Sequence, residues 1–381
     1  MAIEAIQSLF EQLDRSLKTK NAASFFTEDE TVYIYGAGNA GKDLFRFLKG
    51  KGIPVAAFLD RKAQQGSRWE EVPILSPEGE TLSEERRRRS HVIVAIFNRD
   101  TEMPPILKFL RSLGYGRVTS FLEFHDRFAA EWGNRFWLTG RDFYTDKQEP
   151  IEAVNEIWSD ETSREVYQAV LKFRFTMDYD ALPSPCLDDQ YFPKDLPAWP
   201  NPLRFIDCGA FDGDTLQYLL DKRMKVGVDA IAAFEPDLAN FSKLAEAAQA
   251  QAVSFSGTLS LFPCGVGSAT EQIRFSSGQG EGSCASESGN GMMQVVTLDE
   301  ALPCFRPNMI KMDIEGAESA ALHGSRRLIE AYRPVLAICV YHCPDHLWAI
   351  PLLAQAWLRG GRHYLRAHTY NGFDLVYYWV P

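Results

Sequence analysis

Residues 205–215, FIDCGAFDGDT, constrain what this chain can fold into more than any other stretch. An apolar strand ends in Asp207, a turn containing Gly209, Ala210, Phe211 and Gly213 follows, and a helix opens at Asp214 and Thr215. A strand feeding a helix through a glycine turn is the start of a βαβ unit, so the fold class is α/β with a mostly parallel sheet. Small residues here let the backbone approach a ligand closely. A turn that cradles pyrophosphate presents bare amides to an anion and rarely carries acids. Here two carboxylates, Asp207 and Asp214, rim the turn. They suit a ligand with a positive amino group, a ribose and a sulfonium, and S-adenosylmethionine has all three. The plainer alternative is a turn whose glycines serve only packing.

Two later segments continue the pattern. Ala230–Phe234 is a short apolar run ending at Glu235-Pro236-Asp237, which places Glu235 at a strand tip beyond the glycine turn, with Asp237 beside it. A carboxylate there can accept hydrogen bonds from both ribose hydroxyls, and Pro236 suits the first turn of the next helix. IKMDIEGAESAALHG, Ile310–Gly324, is again a strand running into a helix, with Lys311, Asp313, Glu315 and Glu318 around the junction. Strand alternation predicts that Asp313 and Glu315 project to the same side, at the sheet edge where open α/β folds bind ligands. The apolar run Val335–Val340 then ends at Tyr341-His342, bringing a titratable ring to that edge.

QYFP (Gln190–Pro193), FIDCGAFDGDT, FEPD (Phe234–Asp237), VVTLDE (Val295–Glu300), IKMDIEGAE and VYH (Val340–His342) stand in an order and spacing that resemble FkbM-type methyltransferases. The resemblance runs from Ile157 to the C-terminus. It implies a class I methyltransferase fold, S-adenosylmethionine as donor, and a hydroxyl acceptor on a sugar or secondary metabolite. Asp207, Gly209 and Glu235 match the family's donor-binding positions, and Gln190-Tyr191-Phe192 is expected near them. Cys208 departs from the branched apolar residue of many members without touching the chemistry.

The residues argue separately for oxygen as the acceptor atom. The Asn/Asp-Pro-Pro-aromatic run that clamps a planar nitrogen is absent after the fourth strand, where Asp313 and Glu315 stand instead. A hydroxyl is a poor nucleophile and needs a base within hydrogen-bond reach. His342 is the first choice, because its ordinary pKa suits neutral pH, and Asp313 is the second, as base or as the group orienting His342. The remaining task is to align oxygen, methyl carbon and sulfur and to exclude water. Asp313, Glu315, His342 and His346 offer oxygen and nitrogen ligands for a divalent cation, but Pro344 interrupts the His342/His346 spacing, and no metal is expected.

The first part of the chain carries a second glycine motif. Thr31–Leu48, TVYIYGAGNAGKDLFRFL, is a strand, then Gly36, Gly38 and Gly41 in dinucleotide register, then a helix ending near Gly50 or Gly52. Val55–Leu59 ends at Asp60, the ribose position. His91–Ile96 reads as a further buried strand and Pro105–Leu113 as a helix. The expectation is a Rossmann-like domain that holds a nucleotide or nucleotide-sugar at Gly36–Gly41, or keeps the turn as scaffold.

At 381 residues, with 45% hydrophobic and 24% charged residues, the chain is long enough for two cores. A formal net charge of -11 argues against nucleic acid or an anionic membrane as partner. Seven cysteines without metal or disulfide spacing read as scattered reduced thiols, consistent with a soluble cytoplasmic enzyme. The expected organisation is a Rossmann-like domain at 1–128, a helical connector at 129–202 and a methyltransferase domain with a seven-stranded sheet at 203–381. Within the connector, Ile151–Trp158 and Ser163–Phe175 have helical spacing, with Ser159 or Asp160 as cap. EERRRR, Glu84–Arg89, reads as a solvated helix face or loop, and Ser276–Gly291 as a surface loop or a lid. The competing functions are a NAD- or nucleotide-sugar-dependent oxidoreductase centred on Gly36–Gly41, which lacks a visible Tyr-x-x-x-Lys set, and a binding protein without turnover.

Overall fold

The computed structural model describes residues 2–22, 24–79, 82–186, 190–197, 199–220, 227–252, 255–276, 284–285 and 291–381. The chain divides into two compact units, the first made of residues 1–152, 166–185 and 369–373, the second of 153–165, 186–368 and 374–381. Residues 129–202, expected as a separate connector, are therefore shared out between the units rather than standing apart. Asp160, not Ser159, caps the helix Glu161–Thr176, its Oδ1 accepting the Ser163 amide at 2.8 Å.

The first unit is built on β1 (Thr31–Tyr35), β2 (Val55–Leu59), β3 (Arg68–Trp69), β4 (Val72–Leu75), β5 (Ser90–Val94) and β6 (Arg117–Ser120). Their order is β3-β4-β2-β1-β5-β6, and every pair is parallel except β3 with β4. β1 lies inside the sheet, and its apolar side chains are buried because neighbouring elements cover both faces. The helix Asn39–Gly50 turns Gly41, Leu44, Phe45 and Leu48 inward, the spacing of one helical face. Leu44, Leu48, Phe58, Ile93 and Phe124 share one core with Val32 and Ile34. The helix expected at Pro105–Leu113 begins earlier, at Met103, with proline in its first turn where a missing amide costs nothing. EERRRR supplies the helix Glu84–Arg88, which buries no side chain and is capped by Ser83.

The second unit contains β7 (Leu203–Cys208), β8 (Val228–Phe234), β9 (Thr258–Phe262), β10 (Gly265–Val266), β11 (Glu271–Ser276), β12 (Cys284–Ala285), β13 (Gly291–Val296), β14 (Met309–Met312), β15 (Val335–Cys339), β16 (Arg362–Ala367) and β17 (Leu375–Val380). Seven of them form one sheet in the order β16-β17-β15-β14-β7-β8-β9, in which only β17 runs against the rest. This is the mostly parallel seven-stranded sheet the motifs called for. β10, β13, β11 and β12 form a second, four-stranded sheet. The edge strand β16 is covered rather than exposed. Ser159 Oγ accepts the His363 amide at 2.8 Å, Ser163 Oγ accepts the Leu365 amide at 2.9 Å, and the Ser159 amide donates to the His363 carbonyl. Among the described residues no helix is long and apolar enough to cross a membrane.

Order along the sheet decides where chemistry can gather. β7 lies between β14 and β8, and β15 lies beyond β14, so the carboxyl ends of β8, β7, β14 and β15 stand side by side. Those four ends carry Glu235, Gly209, Asp313 and His342. Such an edge is where an open parallel sheet takes its ligand.

Candidate active site

The turn after β7 is held by backbone bonds on both sides. Gly209 and Ala210 donate to the Phe234 carbonyl at 3.0 Å, and Asp313 donates to the Cys208 carbonyl at 3.0 Å. Gly209 has φ +82, and a side chain there would place Cβ 1.9 Å from the Asp313 carbonyl oxygen, so only glycine lets these two strand ends approach. Phe211 also takes positive φ, +46, which turns its amide towards Glu235. Gly213 closes the turn, and the helix Asp214–Leu220 starts with the Asp214 side chain accepting the Thr215 amide at 2.6 Å.

Glu235 is buried at the tip of β8 with one amide on each oxygen, Phe211 at 2.9 Å and Asp237 at 2.8 Å. Burial pushes its carboxyl up to about 7 against those two bonds. Each carboxylate oxygen has a second lone pair, so the capacity to accept a hydroxyl remains. Asp237, beside it, also starts a helix. Its Oδ1 accepts the Ala239 and Asn240 amides at 2.9 and 3.2 Å and starts the helix Leu238–Ala252, so it supports the site as a helix cap.

Asp207 likewise faces the protein. It is the register partner of Lys311 across β7 and β14, and Lys311 Nζ lies 2.7 Å from Asp207 Oδ1 and 2.7 Å from the Gly209 carbonyl. Both side chains are buried. Burial raises the Asp207 carboxyl to about 6, with Lys311 opposing. Burial alone would lower the Lys311 ammonium, but Asp207, Asp313 and Asp214 outweigh it and hold the charge. The expected donor-contacting acid is thus one half of an ion pair that pins the floor of the glycine turn. Spacing alone gives Lys311 a place at the junction but no role. The signal was a lysine inside an otherwise apolar strand.

Asp313 and Glu315 come together for a reason other than strand alternation. β14 ends at Met312, and both acids stand in the turn beyond it, where Glu315 has φ +54 and Gly316 φ +101. The turn aims both carboxylates at one ring: Asp313 Oδ1 lies 3.3 Å and Glu315 Oε2 3.9 Å from His342 Nε2. On the other side Glu318, fully buried in the first turn of the helix Glu318–His323, sets Oε1 2.6 Å from His342 Nδ1. Glu318 also accepts the Ile314 amide at 2.9 Å and faces His346 Nδ1 at 3.3 Å. Tyr191 donates to Asp313 Oδ2 at 2.6 Å, which brings the QYFP segment to this cluster.

These surroundings change the assignment of the base. Burial alone would strip His342 of its proton, but Glu318 above all, then Asp313 and Glu315, push the imidazole up to about 10. Burial would raise Asp313, yet His342, Lys311 and the Tyr191 hydroxyl hold it below its ordinary value. Glu318 is held well below the usual range by His342 and His346 against the same burial penalty. These carboxylates favour the protonated His342 ring, whereas the expected base needs the neutral one. Three carboxylates surround the ring from the turn and helix beyond β14, positions that strand spacing does not reveal. For a metal, Asp313, Glu318 and His342 each place one ligand atom within 4.8 Å of the others. His342 Nδ1 and Glu318 are already joined by a short hydrogen bond, however, and His346 turns to Glu318 rather than to the Asp313–Glu315 pair. The segment Ser276–Gly291, read as loop or lid, lies outside the described residues except at Ser276, Cys284, Ala285 and Gly291.

The glycine turn of the first unit is simpler. Gly41 packs so closely that a Cβ there would sit 2.0 Å from the Gly36 carbonyl oxygen, whereas a Cβ at Gly38 would meet nothing within 4 Å. The helix Asn39–Gly50 starts without a side-chain cap. Asp60 bends back to the turn, its Oδ2 accepting the Ala37 amide at 3.2 Å and its Oδ1 the Lys62 amide at 2.8 Å.

Residues 207–370 match the family model for the Methyltransferase FkbM domain. The fold is similar to the crystal structure of methyltransferase FkbM from Methylobacillus flagellatus KT, with a TM-score of 0.82 at 20% identity over 100% of both chains. No curated protein matches the chain significantly.

Proposed function

We propose, from the FkbM methyltransferase domain at residues 207–370, that the second unit transfers a methyl group from S-adenosylmethionine to a hydroxyl oxygen of a small molecule, a sugar or a secondary metabolite. The observation that carries this reading is the meeting, at one sheet edge, of a glycine turn backed by Glu235 with the Asp313–His342–Glu318 cluster. The donor would lie along Gly209–Thr215, its ribose on Glu235, and its sulfonium towards the acids after β14. The sulfonium supplies the leaving group, so the chain's own residues have to orient a hydroxyl and take its proton. In this reading Asp313, ionised and in reach of His342, is the proton acceptor. Glu315 stands beside it as a second acceptor of hydroxyl hydrogen bonds. His342 acts as the buried cation that keeps Asp313 charged. An acceptor with several hydroxyls fits a rim of acidic groups better than an apolar one does.

Isothermal calorimetry with S-adenosylmethionine and S-adenosylhomocysteine tests the donor half. Transfer of labelled methyl from the donor to a panel of sugars, compared with amines of the same size, tests the acceptor half. Binding without transfer to any hydroxyl would leave a ligand-binding protein. Transfer to amines alone would overturn the oxygen assignment.

A second reading concerns the first unit. The open space at Gly38 and the uncapped start of the helix Asn39–Gly50 favour a phosphate of a nucleotide or nucleotide-sugar across Gly36–Gly41. Asp60 is partly engaged by the turn itself, which favours the scaffold alternative. Thermal shifts with NAD, NADP and nucleotide-sugars separate the two.

A further inference from the structure

We infer that Glu318 is the positioning residue of this site: its buried carboxylate fixes which ring nitrogen of His342 faces Asp313 and Glu315, and so sets the geometry in which a hydroxyl meets the acid pair. The inference rests on the methyl-transfer reading for its purpose, but the arrangement itself is independent of it. Glu318 makes no use of solvent. One oxygen receives both the His342 Nδ1 contact at 2.6 Å and the Ile314 amide at 2.9 Å, and the other faces His346 Nδ1 at 3.3 Å. The Ile314 amide belongs to the turn that carries Asp313 and Glu315. A single carboxylate therefore ties together the acid turn, the helix that follows it and the histidine after β15.

Ring orientation follows from this. With Nδ1 donating to Glu318, the imidazole cannot flip without leaving a fully buried carboxylate facing carbon. Nε2 must then point at Asp313 (3.3 Å) and Glu315 (3.9 Å). A buried carboxylate behind a histidine is the usual way a protein sets a tautomer and raises ring basicity. Among the described residues, the ring is faced by Asp313 and Glu315 from the turn after β14 and by Glu318 from its helix, with His346 of the helix His346–Trp357 on the far oxygen of Glu318. Lys311 and the Tyr341 and Tyr191 hydroxyls act on Asp313 from further round. Glu318 is the closest of the carboxylates and the one furthest from solvent.

The test uses the full chain labelled with ¹⁵N-histidine and followed by NMR from pH 5 to pH 10.5. In the wild type His342 should show Nδ1 protonated and hydrogen bonded, and should keep its second proton well above pH 7. Titration near 6.5 would overturn the inference at once. Glu318→Gln, which keeps the shape and removes the charge, should lower the His342 midpoint by about two pH units or more, while Glu318→Asp should restore part of that shift. An unchanged midpoint in Glu318→Gln would assign the control to Asp313 and Glu315 and overturn the inference. With any sugar that the wild type methylates, Glu318→Gln should reduce kcat and move the alkaline limb of the rate profile to lower pH, with KM for S-adenosylmethionine within twofold. A reduced kcat with an unmoved limb would mean a structural role alone. Calorimetry with S-adenosylhomocysteine on the wild type keeps the failures apart, since absent donor binding sinks the methyl-transfer reading and leaves the NMR result to judge Glu318.

Discussion

The two units present the same local device, a parallel strand running through glycines into a helix, and differ in what stands behind it. In the first unit the turn Gly36–Gly41 is backed by Asp60, which spends hydrogen-bonding capacity on the Ala37 and Lys62 amides. Among the described residues no buried ion pair lies under it and no cluster of histidine and acids that could hold a metal stands at its edge. In the second unit Gly209 sits on a buried Lys311–Asp207 pair, and within two strands the edge collects Glu235, Asp313, Glu315, Glu318 and His342. Glycines make the opening in both. Among the described residues the second turn is the one backed by a cluster of ionisable groups, so what an edge can do follows the residues behind the turn rather than the turn.

The sharpest way to break this contrast is to remove the cation from the acid cluster. His342→Ala should lower turnover by about 10²–10⁴-fold with donor affinity near wild type. Rate against pH then separates two roles. If the imidazolium is the working form, the wild-type rate stays level as pH falls through 6.5 and drops as pH rises towards 10, where the proton is lost. A rate that falls on acidification through 6.5 would restore His342 as neutral base and displace Asp313.

Glu235 carries the next effect. Glu235→Ala should weaken S-adenosylmethionine binding by about 1–3 kcal/mol, the range for losing a charge-assisted hydrogen-bonding group. Because burial raises this carboxyl to about 7, donor affinity should also weaken as pH drops from 8 to 6. Calorimetry that shows equal affinity at both pH values would remove the ionised Glu235 from the donor site.

A smaller effect belongs to stability. The His342 pKa is raised in the folded chain, so its contribution is fully present below the unfolded value near 6.5 and is lost as pH rises through about 10. Thermal melting should therefore fall between pH 7 and pH 10 in the wild type, and fall less steeply in His342→Gln. Parallel curves for the two proteins would count against the buried imidazolium.

Local signals were legible and tertiary ones were not. Both glycine turns, the strand tip at Glu235 and the strand ending before His342 could be read because each depends on neighbours in sequence. The Asp207–Lys311 pair could not, because it needs the register of β7 against β14, which joins residues 104 positions apart. The helix-capping bond of Asp237 was not legible either, since an acid two residues after a strand tip has the same spacing whether it caps a helix or meets a ligand. Glu318 is visible in the third motif, but spacing does not mark it as a site residue, because its reach to His342 depends on the angle at which its helix leaves the turn. The alternation rule brought Asp313 and Glu315 to one side for the wrong reason, as the positive φ at Glu315 lies outside strand geometry.

The least disruptive test returns to the first unit. Gly38 has φ -77, which any residue tolerates, and a Cβ there would meet nothing within 4 Å. Gly38→Ala should therefore change stability by no more than about 0.5 kcal/mol, the usual range for a substitution away from packed features. Gly41→Ala should be far worse, because its Cβ would sit 2.0 Å from the Gly36 carbonyl. The pair separates a binding turn from a packing turn. If a nucleotide or nucleotide-sugar lies on the turn, the wild type shows a thermal shift with it and Gly38→Ala loses that shift while melting normally in its absence. If the turn is scaffold, neither protein shifts with any of these ligands and only Gly41→Ala melts early. The contrast between the units would then be complete: one glycine turn kept for close packing, the other for the approach of a ligand.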